Sequence, residues 1–250
     1  MIIHERLNQW LNHRFGTKIL QEGFDNYITK SLENNNTSKS LIETYGNKEI
    51  SSYVGFIDLK GYSKFCNGKT SLEIRDFSKS FLNEIINILV KKECLIDKTI
   101  GDEVMFILPH KEESQMHTHA KLGQIIGGLI EYSYKNESEY KFRVGISYGK
   151  LCLDKIGDDN YSEWAVFGEP IITAKRLMSL DEIQDANPIA IVLGKNDNSE
   201  RCSLPELEEV YKSSCWIHNN CKQIEKLKKE FKGEIKVTYT YFLPLRENLI

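Results

Sequence analysis

The sequence predicts an α+β fold: a ferredoxin-like βαββαβ domain over residues 51–250, preceded by an N-terminal helical extension over residues 1–50. Three observations predict it. Short apolar runs alternate with two helical patterns of roughly twenty residues, in the order β-α-β-β-α-β. Two of those runs lie beside a carboxylate with a glycine close by, at Asp58 and Asp102. The character of the chain also changes at Ser51, after a polar tract (Glu33-Asn34-Asn35-Asn36-Thr37-Ser38) that reads as a solvated loop.

Residues 1–50 carry helical spacing at Leu7, Trp10, Leu11 and Phe15. Tyr53, Val54, Phe56 and Ile57 then read as a buried strand ending at Asp58. A long amphipathic helix follows from about Ser71 to Lys91, its apolar face formed by Phe77, Phe81, Leu82, Ile85, Ile88 and Leu89. Leu95-Ile96 and Val104–Leu108 bracket Gly101-Asp102 in the manner of a β-hairpin, and a second helix spans about Glu112 to Tyr134. Strands are expected at Phe142–Tyr148 and Trp164–Phe167. Pro170, with φ already suited to a first helical turn, opens a helix running through Arg176 to Leu180. Ile189–Leu193 reads as a strand, about Cys215 to Lys232 as a Lys/Glu-rich helix, and Ile235–Leu243 as a closing strand. The Lys-rich run Lys226–Lys232 is expected to be a solvated helix face. No internal repeat is visible.

Composition excludes several function classes. At 250 residues with 40% hydrophobic content the chain can bury a sizeable core. A net charge of −3 offers no global attraction to nucleic acid or to an anionic membrane, so any phosphate binding must be local. Nothing approaches eighteen consecutive apolar residues, and the first six residues lack the apolar core of a signal peptide. Six scattered cysteines without a CxxC pair suit a reduced, cytoplasmic protein. Cys215, His218 and Cys221, with Cys202 as a fourth, offer soft ligands for a zinc ion, but residues three apart drift around a helix and the ordinary helical reading is preferred.

The two acids carry the chemistry. Hard divalent cations take oxygen ligands, and Mg²⁺ commonly uses one or two carboxylates plus substrate phosphates. Asp58 and Asp102 at strand edges, with a tight turn at Gly61 leaving room for a triphosphate, suit two-metal phosphoryl chemistry.

Four motifs then resemble one family. Phe56-Ile57-Asp58-Leu59-Lys60-Gly61-Tyr62-Ser63 is similar to the first metal motif of class III nucleotidyl cyclases, and Lys98-Thr99-Ile100-Gly101-Asp102 to their second. Arg143–Gly149 resembles their central strand, and Phe167–Ser179 the helix bearing the transition-state arginine. Their order over about Ser51 to Leu180 makes the set specific. The resemblance implies conversion of a nucleoside triphosphate to a 3′,5′-cyclic monophosphate and pyrophosphate. It implies two Mg²⁺ or Mn²⁺ ions per active site on Asp58 and Asp102, helped by the Leu59 carbonyl. One would activate the ribose 3′-OH and the other would neutralise the triphosphate. Gly61, Tyr62 and Ser63 would border the substrate, Lys98 would read the base, and Arg176 would stabilise charge on the α-phosphate. It also implies a head-to-tail homodimer, one protomer giving the acids and the other the base-reading residues and arginine.

The departures from the family pattern point to a substrate. The usual acceptor that partners the base-reading lysine is replaced by Ala165, leaving adenine's amino group without a partner at a cost of about 1–3 kcal/mol. Ile172 stands where the family has a ribose-positioning asparagine, and Thr173 lies about 100° around the helix from it. The triphosphate-binding lysine matches imperfectly, with Lys232 and Lys236 as candidates. Loss of adenine recognition beside intact acids resembles the bacterial Pycsar antiphage cyclases, which make cyclic CMP or cyclic UMP for a separate effector protein. The expectation is a pyrimidine cyclase, leaning to UTP because Lys98 donates to carbonyls, with bulky Tyr62 either narrowing the pocket or simply packing. The rival readings are an adenylate or guanylate cyclase, a diguanylate cyclase (Gly101-Asp102-Glu103 resembles part of its signature loop, but Ile100 breaks the glycine doublet), and a non-catalytic nucleotide-binding module.

Overall fold

The computed structural model describes residues 49–110, 115–136, 140–157, 162–180, 189–196, 221–223, 227–231 and 235–244. Its elements are β1 (Glu49–Leu59), α1 (Tyr62–Cys66), α2 (Ser71–Val90), β2 (Leu95–Ile100), β3 (Glu103–Pro109), α3 (Gln115–Lys135) and β4 (Phe142–Gly157). They continue with β5 (Ser162–Phe167), α4 (Glu169–Met178), β6 (Ile189–Asn196), β7 (Cys221–Gln223), β8 (Leu227–Phe231) and β9 (Ile235–Pro244). The chain divides into two compact units, one of residues 50–151 and 168–250, the other of residues 152–167 with 1–49. In the smaller unit, the distal half of β4 pairs antiparallel with β5 from Cys152↔Phe167 to Gly157↔Ser162.

In the larger unit the strands run in the order β2-β3-β1-β4-β6-β9-β7, with β8 also on β9. The first four are the split βαβ arrangement expected from the sequence: β3 lies antiparallel between β1 and β2, while α2 and α3 make the crossovers. α2 starts on a capping box in which the Thr70 hydroxyl accepts from the Glu73 N–H and the Glu73 carboxylate accepts from the Thr70 N–H. It buries Phe81, Ile85 and Leu89 at successive i, i+4 positions, with Phe77, Leu82 and Ile88 half-buried beside them. α3 adds Leu122, Ile125, Ile126 and Leu129, all fully buried. Each such side chain contributes about 1.5–3 kcal/mol relative to exposure. Tyr53 of β1 meets the His119 ring of α3 edge-on at 6.2 Å, so the odd-numbered positions of β1 face the helices. The even-numbered positions face the other way, toward the site.

Two expectations need correction. The helix expected from about Cys215 to Lys232 is contradicted at its C-terminal end: Cys221–Gln223 and Leu227–Phe231 are strands, both paired antiparallel along β9. The Leu227/Phe231 spacing of four fits one face of a helix and equally one face of a strand. Backbone pairing of Leu227↔Tyr239 through Phe231↔Ile235 overrides the helical preference of lysine and glutamate. The expected strand Phe142–Tyr148 continues to Gly157, because its distal half has β5 to pair with. The helical pattern of residues 1–48, and Cys202, Cys215 and His218, lie outside the described residues; β1 itself begins at Glu49, ahead of the expected boundary at Ser51. Among the described residues no helix is long and apolar enough to cross a membrane.

Candidate active site

The register sets the site out on one face of the sheet. Phe56 and Lys98 both lie opposite Met105, and Ile100 lies opposite Glu103. Strand alternation therefore places Phe56, Asp58, Lys98 and Glu103 on the face away from the helices that bury Tyr53 and Ile57.

The two acids meet where β1 ends and the β2–β3 hairpin turns. Asp58 accepts a hydrogen bond from the Arg143 guanidinium of β4, and the pair is about one-fifth exposed on each side. Asp102 is buried, and its Oδ2 accepts from the Leu59 backbone N–H at 3.2 Å. Burial, and then the negative charge of Asp58 and a hydrogen bond between the two carboxyls, push the Asp102 carboxyl up to about 6, against the pull of the Leu59 amide. Such a pair of adjacent carboxylates fits a hard divalent cation, whose charge would relieve the repulsion. Among the described residues no three His, Cys, Asp or Glu side chains gather into a closed cage, so substrate and backbone oxygens would have to complete the coordination. Gly61, at φ 81°, makes the left-handed turn from β1 into α1. Tyr62 is engaged in packing: its hydroxyl shares a 2.9 Å hydrogen bond with Ser78 of α2, and its ring lies beside Gly101. Ser63 is exposed on α1.

α4 supplies the cations. It lies so close on β4 that a Cβ at Gly145 would sit 2.2 Å from the Ala174 carbonyl oxygen and 2.5 Å from the Met178 nitrogen. Pro170 lies in its first turn, as expected, while Thr173, Ala174, Leu177 and Met178 are buried beneath it. The opposite face projects Ile172, Lys175 and Arg176 into a cavity of about 690 Å³ that Phe56, Lys98, Ile171, Ser179, Lys229 and Phe231 also line. Lys175 binds the Glu103 carboxylate and stands 5.3 Å over the Phe56 ring. Arg176 stands 5.7 Å over the Phe231 ring. Lys98 is 3.6 Å from the Asp97 carboxylate.

The sequence-predicted residues thus fall into two groups. Asp58, Leu59 and Asp102 come together, and Lys98 and Arg176 share the cavity with Ile172, but neither acid is among the described residues that line it. Ala165 is in the smaller unit, opposite Asp154 on the β4–β5 ribbon. Lys232 lies outside the described residues, and the backbone of Lys236 pairs with Glu230. Lys175, Lys229, Phe56 and Phe231 were not singled out from sequence as cavity residues. Period-two spacing of Leu227, Lys229 and Phe231 before Gly233, a hairpin signal, was available for the last strand.

Comparison with known proteins agrees with this architecture. Residues 45–189 match the family described as the adenylate and guanylate cyclase catalytic domain. The adenylyl cyclase CyaB from P. aeruginosa has a similar structure, with a TM-score of 0.57 at 18% identity, over 81% of this chain and 98% of that one. So does the guanylate cyclase domain of RhGC from Catenaria anguillulae in complex with GTP, with a TM-score of 0.57 at 16% identity, over 80% of this chain and 100% of that one. A dimeric guanylyl cyclase domain of the RhoGC fusion protein from the aquatic fungus Blastocladiella emersonii aligns with a TM-score of 0.54 at 15% identity, over 79% of this chain and 98% of that one. With the matched segment covering more than half the chain and containing both acids, Lys98 and Arg176, this protein is a nucleotide cyclase and belongs to the adenylate and guanylate cyclase catalytic-domain family.

Proposed function

We propose that residues 51–250 form a metal-dependent pyrimidine nucleotidyl cyclase that converts UTP or CTP, with a lean to UTP, to the 3′,5′-cyclic monophosphate and pyrophosphate. One observation carries this reading: the cavity is lined by four cationic side chains, Lys98, Lys175, Arg176 and Lys229, and by no acidic one among the described residues. Such a lining offers hydrogen-bond donors to a base and charge to a triphosphate, and among the described residues no carboxylate to accept from an amino group. Uracil presents two carbonyl oxygens and no exocyclic amine; by the resemblance alone, Ala165 stands where the family has the residue that accepts from adenine's amine.

In the reaction the ribose 3′-oxygen bonds to the α-phosphorus, the bond to the β-phosphate bridging oxygen breaks, and the 3′-OH proton passes to solvent. Asp58, Asp102 and the Leu59 carbonyl would hold Mg²⁺ or Mn²⁺, which supplies Lewis acidity to the 3′-OH and offsets triphosphate charge. Asp102 must shed the proton that its raised affinity retains below about pH 6. Arg143 fixes Asp58 in place through its guanidinium. Lys98 donates to a base carbonyl, and Arg176 presents its planar fork to the α-phosphate oxygens as negative charge accumulates there. Ile172 packs against the ribose instead of hydrogen-bonding to it.

The resemblance supports a head-to-tail C₂ homodimer in which each protomer's acids complete its partner's cavity. Mixing an Asp58→Ala/Asp102→Ala chain with an Arg176→Ala chain, each inactive alone, should restore activity through one intact composite site. A role as source of a second messenger for a separate effector in antiphage defence rests on the Pycsar resemblance.

The test is incubation of the purified protein with Mn²⁺ and each of ATP, GTP, CTP and UTP, with products identified by mass. Cyclic UMP supports the proposal; cyclic CMP would keep the pyrimidine class but overturn the argument from the cavity lining, because cytosine also carries an exocyclic amine. Cyclic AMP or cyclic GMP would move the assignment to an adenylate or guanylate cyclase, the activities named for the structural relatives. Nucleotide binding without any product would indicate a non-catalytic module.

A further inference from the structure

Two consecutive cations on α4 are each seated against a phenylalanine from a different strand: Lys175 over Phe56 of β1, and Arg176 over Phe231 of β8. Their support differs. Lys175 has the Glu103 carboxylate as a counter-ion. Arg176 is half-buried, and its Nη1 is buried with no hydrogen-bond partner. No carboxylate pairs with it among the described residues, so the π face of Phe231 at 5.7 Å is the electrostatic support that the described structure offers its guanidinium. Phe231 is itself anchored, packing against the core cluster of Leu177, Leu180, Val192, Val237 and Tyr239. Leu177 follows Arg176 on α4, so one cluster ties down both the helix that carries the arginine and the ring beneath it.

We propose that Phe231 is a positioning residue for Arg176, holding the guanidinium toward the cavity without neutralising it. The inference rests on the reading that Arg176 acts on the phosphate being transferred. A carboxylate in the place of Phe231 would orient the arginine equally well, but it would occupy the same donors that the phosphate oxygens need and cancel the charge they require. A quadrupole orients the plane and leaves the N–H donors available. The Phe231 ring also lines the cavity, so the substrate meets an aromatic wall rather than a competing acid.

The test compares kcat and KM for the best nucleotide in Phe231→Leu, Phe231→Tyr, Arg176→Gln and the Phe231→Leu/Arg176→Gln double variant. Leucine keeps the packing but removes the ring; tyrosine keeps the ring. The expected result is a kcat lowered about tenfold in Phe231→Leu with KM within about twofold of wild type, near-normal kcat in Phe231→Tyr, and no further loss from Phe231→Leu once Arg176 is glutamine. If Phe231→Leu does not fold, pentafluorophenylalanine at position 231 keeps the ring's shape while inverting its quadrupole, and should lower kcat in the same way. Unchanged kcat in Phe231→Leu or in the fluorinated protein, or additive losses in the double variant, would overturn the positioning role while leaving Arg176's role intact. Wild-type kcat in Arg176→Gln would instead overturn the reading of Arg176, and the inference with it.

Discussion

Replacing Asp102 with asparagine should make the metal-free protein more stable while abolishing cyclisation. Asp102 is buried beside Asp58, and its carboxyl is pushed up to about 6 from an ordinary 3.8. The folded state therefore holds a proton that the unfolded state releases more readily, and stability from this group falls as pH rises from about 4 to about 6. Above pH 7 both states are ionised, and the full shift of roughly two pH units costs about 3 kcal/mol at 1.36 kcal/mol per unit. Asparagine has the same shape, keeps an oxygen for the Leu59 N–H, can donate to Asp58, and carries no charge. It also loses the stronger charge-assisted bond, so a gain of about 2–3 kcal/mol is the upper expectation at pH 7.5, shrinking to a small fraction of that at pH 4, where the aspartate is protonated in the fold. The assay is urea denaturation in EDTA at both pH values, followed by thermal melting with and without Mn²⁺. Mn²⁺ should raise the wild-type melting temperature and leave the asparagine variant nearly unmoved. A variant no more stable than wild type at pH 7.5, or a gain equally large at pH 4, would refute the argument that the two carboxylates repel across this site.

Three further outcomes are expected. Arg143→Met strands Asp58 beside Asp102 and should lower metal-free stability by about 1–3 kcal/mol in urea titrations, with Mn²⁺ restoring part of the loss. Gly145→Ala has no room below α4 and should lower the melting temperature and reduce kcat at least about tenfold, because lifting the helix displaces Arg176. His119 is buried beside His110, and burial first, then that neighbour, lower it to about 4. It stays neutral in the fold while the unfolded chain protonates near 6.5, so its contribution is lost as pH falls from about 6.5 to about 4. His119→Leu should flatten that acid limb of a stability–pH curve; an unchanged slope would show that His119 does not produce it.

Local pattern carried much of the fold. The i, i+4 stripe of α2, the apolar run of β1 and the glycine between β2 and β3 each state their structure within a few residues, and the βαββαβ order follows from their succession. β8 escaped because Leu227–Phe231 satisfies either period, and its conformation is decided by backbone pairing with β9. That misassignment hid Lys229 and Phe231, which enter the cavity only when the segment is a strand. The acids and Arg176 were legible from motif order. Their supports were not: Arg143 reaches Asp58 across 85 positions and Lys175 reaches Glu103 across 72, pairings that no local spacing announces.

The contact at Gly145 has a mechanical consequence. Most helices ride on a sheet through a layer of side chains, which can slide or change rotamer and so absorb small displacements. α4 rests at this point backbone to backbone, with the Ala174 carbonyl and the Met178 amide against the bare Cα of β4. Such a joint has almost no slack, so a change in the twist of β4 would pass into the orientation of α4 with little loss. Any signal that bends the sheet therefore has a stiff linkage to the arginine two residues along the helix, and drift at position 145 is closed even to the smallest added side chain.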